Sequence, residues 1–554
     1  MSHVLDSVIR ELYDLEVEAA VTRPEPQFGD ASTNVAMQLA GKLGRNPREI
    51  AEEIAAKLRE TGKYSEVTIA GPGFINIRYA DDALIAKLDK HVAHVEHPLR
   101  YVIEYSCPNA FKELHTGHLY QTIAGDVIAR LVELVGHEVH RTSFGGDVGL
   151  HVAKCLWGMV DTLGGEHPEK LNEVDQEPFA RARWISAAYV RGAAAYEADE
   201  TAKARIQELN KLIYGWHETG ERDTPLAEMY WTTRQWSFEY FDAFYGYIDV
   251  DTMRYYPESE TAPVGMNVVR EQLEAGVLKK SDGAVVYEGD ESKHLHTRVF
   301  VTSAGLPTYE TKDIGVIWME RAEYGFEKRL LITGNDQKEY MRVVFAAAED
   351  FDTSLAGTMT HLTNGTVRFG DGTKMSSRLG NVARGADVIE IVEQKVRSMV
   401  SDDLLVRDLT LGAVKYALLR YRLGGDISFD VEETVSLQGN SGPYLQYAHA
   451  RARSILAKSE LEPSELSELE ADERTLVVKL GEYNEVVERA AAEYMPHHIC
   501  TYLYELSQEF NRFYEKNRVI GHERETVRLS LVQTYADRLR DGLGLLGIAA
   551  PEQI

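Results

Sequence analysis

The stretch from Tyr101 to Val135 constrains the fold of this chain more tightly than any other part of its 554 residues. Tyr101-Val102-Ile103-Glu104-Tyr105 is a short run of strand-forming residues, and Ile123, Ala124, Val127, Ile128, Leu131, Leu134 and Val135 recur at helical spacing. Between them lies His115-Thr116-Gly117-His118, so the unit reads as strand, turn, helix. The first N–H groups of a helix have no partner within it and carry partial positive charge, and a glycine there lets the backbone approach a phosphate closely. Two imidazoles beside Gly117 add donors. When a nucleophile attacks the α-phosphate of ATP, negative charge grows on the phosphate oxygens, and donors already aimed at them supply most of the rate. His115, Gly117 and His118 therefore predict a nucleotide site with chemistry attached.

A second motif lies far downstream. Lys374-Met375-Ser376-Ser377-Arg378, then Leu379-Gly380-Asn381, follows the turn-rich Gly370-Asp371-Gly372-Thr373, where a mobile basic loop is expected. HxGH followed by such a KMSKS-like loop resembles class I aminoacyl-tRNA synthetases. The lysine usual at the fourth loop position is Ser377 here, whereas Lys112 precedes His115 by one short step, and this displaced lysine is similar to that of arginyl-tRNA synthetases. The resemblance extends over the whole chain. Ser106-Cys107-Pro108-Asn109 looks like that family's SSPN run and Tyr309-Glu310-Thr311-Lys312-Asp313-Ile314-Gly315 like its YLTRDIG run. Gly442-Pro443-Tyr444-Leu445-Gln446-Tyr447, Tyr502-Leu503-Tyr504-Glu505-Leu506 and Leu545-Leu546-Gly547-Ile548 resemble its C-terminal helical domain. Departures are Tyr120-Gln121 in place of the usual Arg-Ser, Val148 in place of Trp, His151 in place of Gln, and Ile554 where many relatives end in Met.

The resemblance implies a ligase that activates L-arginine with ATP and Mg²⁺ and transfers it to tRNA(Arg), releasing pyrophosphate and AMP, with no protein nucleophile. It assigns Glu104, Tyr309 and Asp313 to the guanidinium, and Asn109 and Gln337 to the α-amino and carboxylate groups. It places His115, Gly117, His118, Met375 and Ser376 on ATP. Lys374 and Arg378 would close over the pyrophosphate, and Lys112 would supply the cation missing at Ser377. Phe74 and Asn76 would meet the tRNA D-loop, and Tyr444, Tyr447 and Arg451 the anticodon loop. The chemistry of the pocket agrees: a guanidinium offers five donors in one rigid plane, which calls for carboxylates and a flat partner. The alternative for Glu104 is a salt bridge to a neighbouring arginine, and for Asp313 a helix N-cap. Asp147, in Gly145-Gly146-Asp147, matches a family run without an assigned role.

Composition bounds the remaining possibilities. The length fits roughly three or four domains. A net charge of −28 argues against unspecific adhesion to polyphosphates, so RNA must meet local basic patches such as Arg420 and Arg422, or Arg451, Arg453 and Lys458. The start, Met1-Ser2-His3-Val4-Leu5-Asp6, has no basic segment leading into an apolar one, and no run approaches the ~18 apolar residues of a membrane helix, so a cytoplasmic, non-membrane enzyme, expected as a monomer, is the default. Cys107, Cys155 and Cys500 are scattered without CxxC spacing, and His294 and His296 have no further ligand at metal spacing, so neither zinc nor another bound metal is expected. A nucleotidyltransferase working without tRNA would share HxGH and a basic loop, but two flanking RNA-type domains argue against it. A non-catalytic RNA-binding relative would have lost His115, His118 or the loop, and all are present.

Three units are expected. Residues 1–98 read as an α/β domain similar to the family's tRNA-binding one. In it Asn46-Pro47-Arg48-Glu49 marks a helix start, Ala51, Ile54, Ala55 and Leu58 its apolar stripe, and Gly71-Pro72-Gly73 a turn into a strand. Residues 99–400 hold a parallel, Rossmann-like sheet, with candidate strands at Val299–Thr302, Leu330–Thr333 and Thr366–Phe369, a helical insertion at about 156–295 and the basic loop at 371–382. Residues 401–554 read as an all-α bundle.

Overall fold

The computed structural model describes residues 2–17, 19–22, 24–251, 253–369 and 384–554. Its centre is a five-stranded sheet in the spatial order Met359–Asn364, Lys328–Gly334, Arg100–Glu104, Glu138–Gly145, Arg254–Pro257. Every pairing in it is parallel. The first strand in the chain lies in the middle; two strands are added on one side, and the chain then crosses back to add two on the other. The order therefore reverses between Arg100–Glu104 and Lys328–Gly334, and in such sheets ligands bind outside the carboxyl ends of the strands at that point. Glu104 is the last residue of the central strand, at this reversal.

The two faces of the sheet are covered differently. Ile103, Leu330 and Ile332 share a core with the helix Thr116–Leu134. Val102 and Leu331 face the other way, under the helices Tyr309–Tyr324 and Lys338–Phe351. Gly125 allows the first helix to lie this close: a Cβ there would stand 2.2 Å from Cγ of Tyr105. The far side of Thr116–Leu134 is buried by helices of the C-terminal bundle, including Asp403–Leu419 and Tyr483–Glu493.

Two candidate strands belong elsewhere. Arg298–Val301 joins Ala284–Tyr287 and Lys279–Ser281 in a separate antiparallel sheet, and Val367–Phe369 pairs with Ile427–Phe429. A short apolar run specifies extended backbone but not its partner. The stretch 156–295 is helical through Pro178–Ala198, Glu200–Thr219 and Pro225–Tyr247, with its own core around Leu156, Ile185, Ile206 and Tyr230. It is not wholly helical, because it also supplies the edge strand Arg254–Pro257.

The N-terminal unit is an antiparallel sheet, ordered Val21–Thr22, Ala31–Thr33, Phe74–Tyr79, Tyr64–Ala70, against which helices pack. The helix Pro47–Glu60 starts as the sequence predicts: Asn46 Oδ1 accepts from the Arg48 amide at 2.9 Å, and Ala51, Ile54, Ala55 and Leu58 are buried. Arg474 of the bundle ties this unit down by donating to Asp30 Oδ2 at 2.5 Å and to the Tyr79 carbonyl at 2.8 Å.

Candidate active site

His115 is the N-cap of Thr116–Leu134. Its Nδ1 accepts from the amides of Gly117 at 3.0 Å and His118 at 3.3 Å, while His118 Nδ1 accepts from the His115 amide at 3.2 Å. The rings stack with centroids 3.6 Å apart. Backbone amides only donate, so neither Nδ1 carries a proton and both rings hold theirs on Nε2. Burial lowers the pKa of His115, and Lys112 lowers it further; His118 is pushed well below its ordinary value by burial, then by His115 and Lys112. The turn thus presents two neutral imidazoles, each with one Nε2–H donor, at a helix N-terminus.

The segment leading into the turn has left-handed backbone at non-glycine residues: Ser106 at φ 70°, Cys107 at 49° and Phe111 at 66°. Such conformations persist only where the surroundings hold them. Thr122 Oγ1 donates to Ser106 Oγ at 2.8 Å, Tyr255 OH donates to the Pro108 carbonyl at 2.8 Å, and Ser143 Oγ and Ser237 Oγ accept from the amides of Cys107 and Phe111. Asn109 is exposed, with Oδ1 accepting from the Gly146 amide at 2.8 Å and its amide nitrogen making no hydrogen bond among the described residues.

Lys374, Met375, Ser376 and Arg378 lie outside the described residues. The chain that follows them is at the turn nonetheless: Arg384 forms a β-bridge with His115, and the Gly385 amide donates to the Leu114 carbonyl at 2.8 Å. Lys112 lies beside the same turn, its ammonium 4.4 Å from the centre of the Tyr189 ring.

A cluster of acidic side chains gathers between the sheet and the helix Tyr309–Tyr324. Tyr309 opens that helix and is 67% exposed; Asp313 follows one turn later, inside the helix rather than at its cap, which is Thr308. Tyr340 OH donates to Asp313. Burial pushes the Asp313 carboxyl up to about 7, with Tyr340 and Arg329 pulling against it. Glu104 is buried and takes the salt bridge that the sequence left as its alternative, to Arg329. Burial pushes Glu104 up as well; Arg329 opposes that, while Glu320 and Asp313 add to it. Gln337 is exposed at the start of Lys338–Phe351, beyond the carboxyl end of the neighbouring strand. Asp147, fully buried, accepts from Arg234 Nε at 2.7 Å and from the Ser259 amide and hydroxyl at 2.9 and 2.7 Å, which makes it a staple between elements.

The outlying positions divide. Phe74 is 42% exposed, but Asn76 is buried with its Oδ1 accepting from Ser32 Oγ at 2.8 Å. Tyr447 and Arg451 line an open groove of about 780 Å³ with Arg453, Lys458, Gln533 and the terminal Ile554. Tyr444 turns from it into the bundle, where its hydroxyl accepts from Asn511 at 2.9 Å. Arg329 and Glu320 carry no motif in the sequence; the one signal is the charge of Arg329 at the head of the apolar run Leu330-Leu331-Ile332.

Known families match the chain in consecutive blocks: the arginyl tRNA synthetase N terminal domain over residues 1–79, the catalytic domain of class I (R) tRNA synthetases over 81–419 and the DALR anticodon binding domain over 445–554. An arginine–tRNA ligase of Synechococcus sp. is 30% identical, the alignment covering 96% of this chain and 95% of that one. That of Thermobifida fusca is also 30% identical with the same coverage. The Thermus thermophilus arginyl-tRNA synthetase structure shares the fold at a TM-score of 0.84 and 24% identity, over 100% of this chain and 99% of that one. With a stacked HxGH turn at the switch point of a parallel sheet, an acidic cluster on the sheet's other face and a helical bundle behind it, the chain belongs to the arginyl-tRNA synthetase family of class I aminoacyl-tRNA synthetases.

Proposed function

We propose that the chain is an arginine–tRNA ligase that activates L-arginine with ATP and transfers it to the 3′-terminal adenosine of tRNA(Arg). The observation that carries this reading is the bridge between His115 and Arg384, which brings the chain leaving Lys374–Arg378 to the two Nε2–H donors. In the first step an arginine carboxylate oxygen attacks the α-phosphorus of ATP and pyrophosphate leaves. His115 and His118 donate to the α-phosphate oxygens as charge grows on them, and Lys112, Lys374 and Arg378 steady the leaving pyrophosphate. Mg²⁺ bound to the polyphosphate would offset its negative charge. In the second step a ribose hydroxyl of the terminal adenosine attacks the carbonyl carbon of arginyl-adenylate and AMP leaves.

Glu104 and Asp313 receive the guanidinium, Tyr309 covers it, and Asn109 and Gln337 hold the α-amino and carboxylate groups. Phe74, more than Asn76, meets the D-loop, and the groove at Tyr447 and Arg451 takes unstacked anticodon bases, which need an aromatic platform beside a cation. A cytoplasmic monomer remains our reading; among the described residues no helix is long and apolar enough to cross a membrane. The test is arginine-dependent exchange of labelled pyrophosphate into ATP, with and without tRNA(Arg), for the parent and Asp313→Ala. Exchange that needs tRNA and is lost in the variant is expected. Exchange driven by another acid, or without tRNA, would favour a nucleotidyltransferase.

A further inference from the structure

Arg329 has no part in the chemistry above, yet it sits at the base of the pocket. It is 1% exposed, with register partner Val102 on the central strand, and so lies on the same sheet face as Glu104 and Thr142. Its Nη2 donates to Glu104 Oε2 and its Nε to Glu320 Oε2 at 2.7 Å. Glu320, 0% exposed, accepts from Thr142 Oγ1 at 2.6 Å through its other oxygen. Asp313 and Glu320 stand two turns apart on one face of the helix Tyr309–Tyr324. From the mouth inward, charge alternates: Asp313 and Glu104, then Arg329, then Glu320.

We propose that Arg329 is a positioning residue for arginine selection: from beneath the pocket it fixes the orientation of Glu104 and offsets its charge, so that the substrate guanidinium meets a preset carboxylate. This rests on the reading that Glu104 and Asp313 receive that guanidinium. With Oε2 held by Arg329, Oε1 is the oxygen left for substrate; the Cys107 thiol, a weak donor, faces it at 3.5 Å. Once ionised, Asp313, Glu104 and Glu320 around one guanidinium leave the site short of positive charge, and a second guanidinium at the mouth supplies it. Burial already raises Glu104 against the opposing pull of Arg329, so losing Arg329 shifts it further toward the protonated form, which donates rather than accepts. The other titratable groups facing the cluster are Cys107 from the loop, Tyr340 from Lys338–Phe351, Glu258 and Glu310 on the Asp313 side, and His361 on the Arg329 side.

The experiment is steady-state aminoacylation of tRNA(Arg) by the full chain, with arginine varied between about pH 6 and 9, for the parent, Arg329→Met, Arg329→Lys and Asp313→Ala, each checked by thermal melting. Arg329→Met should raise the arginine KM by roughly one to two orders of magnitude at neutral pH, as for loss of a charged hydrogen bond, with kcat and the ATP KM little changed. The rise should shrink at high pH, where Glu104 can lose its proton. Arg329→Lys keeps the charge but not the fork, so an intermediate KM is expected, and it serves as the reporter if the methionine variant does not fold. An arginine KM in both Arg329 variants equal to or below the parent's would mean that Arg329 competes with substrate or is idle, and would overturn the proposal; so would a rise identical at every pH. An unchanged KM in the Arg329 variants with a raised KM in Asp313→Ala removes the brace and keeps the pocket. An unchanged KM in Asp313→Ala as well removes the pocket reading itself.

Discussion

Replacing Gly117 by alanine should separate the two jobs of the HxGH turn. A Cβ at this position would stand 2.8 Å from Cε1 and 2.9 Å from Nδ1 of His115, well inside the ~3.5 Å at which carbon atoms meet comfortably. Gly117 is already helical, so its backbone accepts alanine and relief comes from swinging the His115 ring away. That breaks the hydrogen bonds from Gly117 and His118 into Nδ1 and the 3.6 Å ring stack. Loss of the cap costs about 1 kcal/mol, and the better helix propensity of alanine returns a similar amount. The melting temperature should therefore move by about 2 °C or less. The rate should not be spared: an Nε2–H donor no longer aimed at the α-phosphate costs about 10²–10³ in kcat. Neither the proposed arginine site nor the groove proposed for the anticodon is touched, so both KM values should hold. Single-turnover charging of tRNA(Arg), with thermal melting on the same preparation, reads both quantities. A charging rate within about threefold of the parent would refute the assignment of His115 as a preset donor. A rate loss accompanied by a large fall in melting temperature would refute the claim that the glycine serves geometry rather than stability.

The pocket predicts a pH dependence. Asp313 is pushed up to about 7 in the empty site, chiefly by burial, and an arriving guanidinium favours its ionised form. Arginine binding should release a proton, and the arginine KM should fall about tenfold per pH unit at most below that value and level off above it, measurable as KM against pH. For folding the sign is opposite: a carboxyl raised in the folded state contributes stability present below its unfolded pKa and lost as pH rises through about 7. In the bundle, Tyr447→Ala and Arg451→Ala should each raise the tRNA KM about tenfold while leaving the arginine KM unchanged, because they line the open groove far along the chain from the pocket. Tyr444→Ala should act mainly on melting temperature, since that ring is packed against Tyr504 and bonded to Asn511.

What the sequence revealed was local. The strand at 101–105 and the helix beyond the turn appear as Arg100–Glu104 and Thr116–Leu134 because apolar spacing and a glycine turn are both read within a few neighbours. Glu138–Gly145 was not legible: its residues are largely polar, and its place in the sheet comes from pairing with Arg100–Glu104. Met359–Asn364, an edge strand, is only half buried and needs no apolar run. Asp313 and the two histidines could be singled out as candidates because their neighbours in the chain carry the pattern. The Arg329 brace could not, since its partners Glu104 and Glu320 meet it only after a crossover of the sheet and the packing of a helix.

The helix behind the HxGH turn carries the most consequential difference between pattern and structure. Its apolar spacing predicts one buried stripe, but the residues from Leu119 to Ala129 are buried without a break. A helix buried all round needs a partner on each side. Here the sheet covers one side and the bundle the other, so Ile123 and Val127 share a core with Leu445 and Tyr535. Charge crosses the same junction: the buried Lys415 of the bundle faces Asp126 of this helix and donates to the Asp249 carbonyl at 3.2 Å. Close-packed interiors transmit displacement rather than absorb it. The orientation of His115 and His118 is therefore set from both sides, and under the proposed function the bundle is part of the wall that aims the HxGH turn.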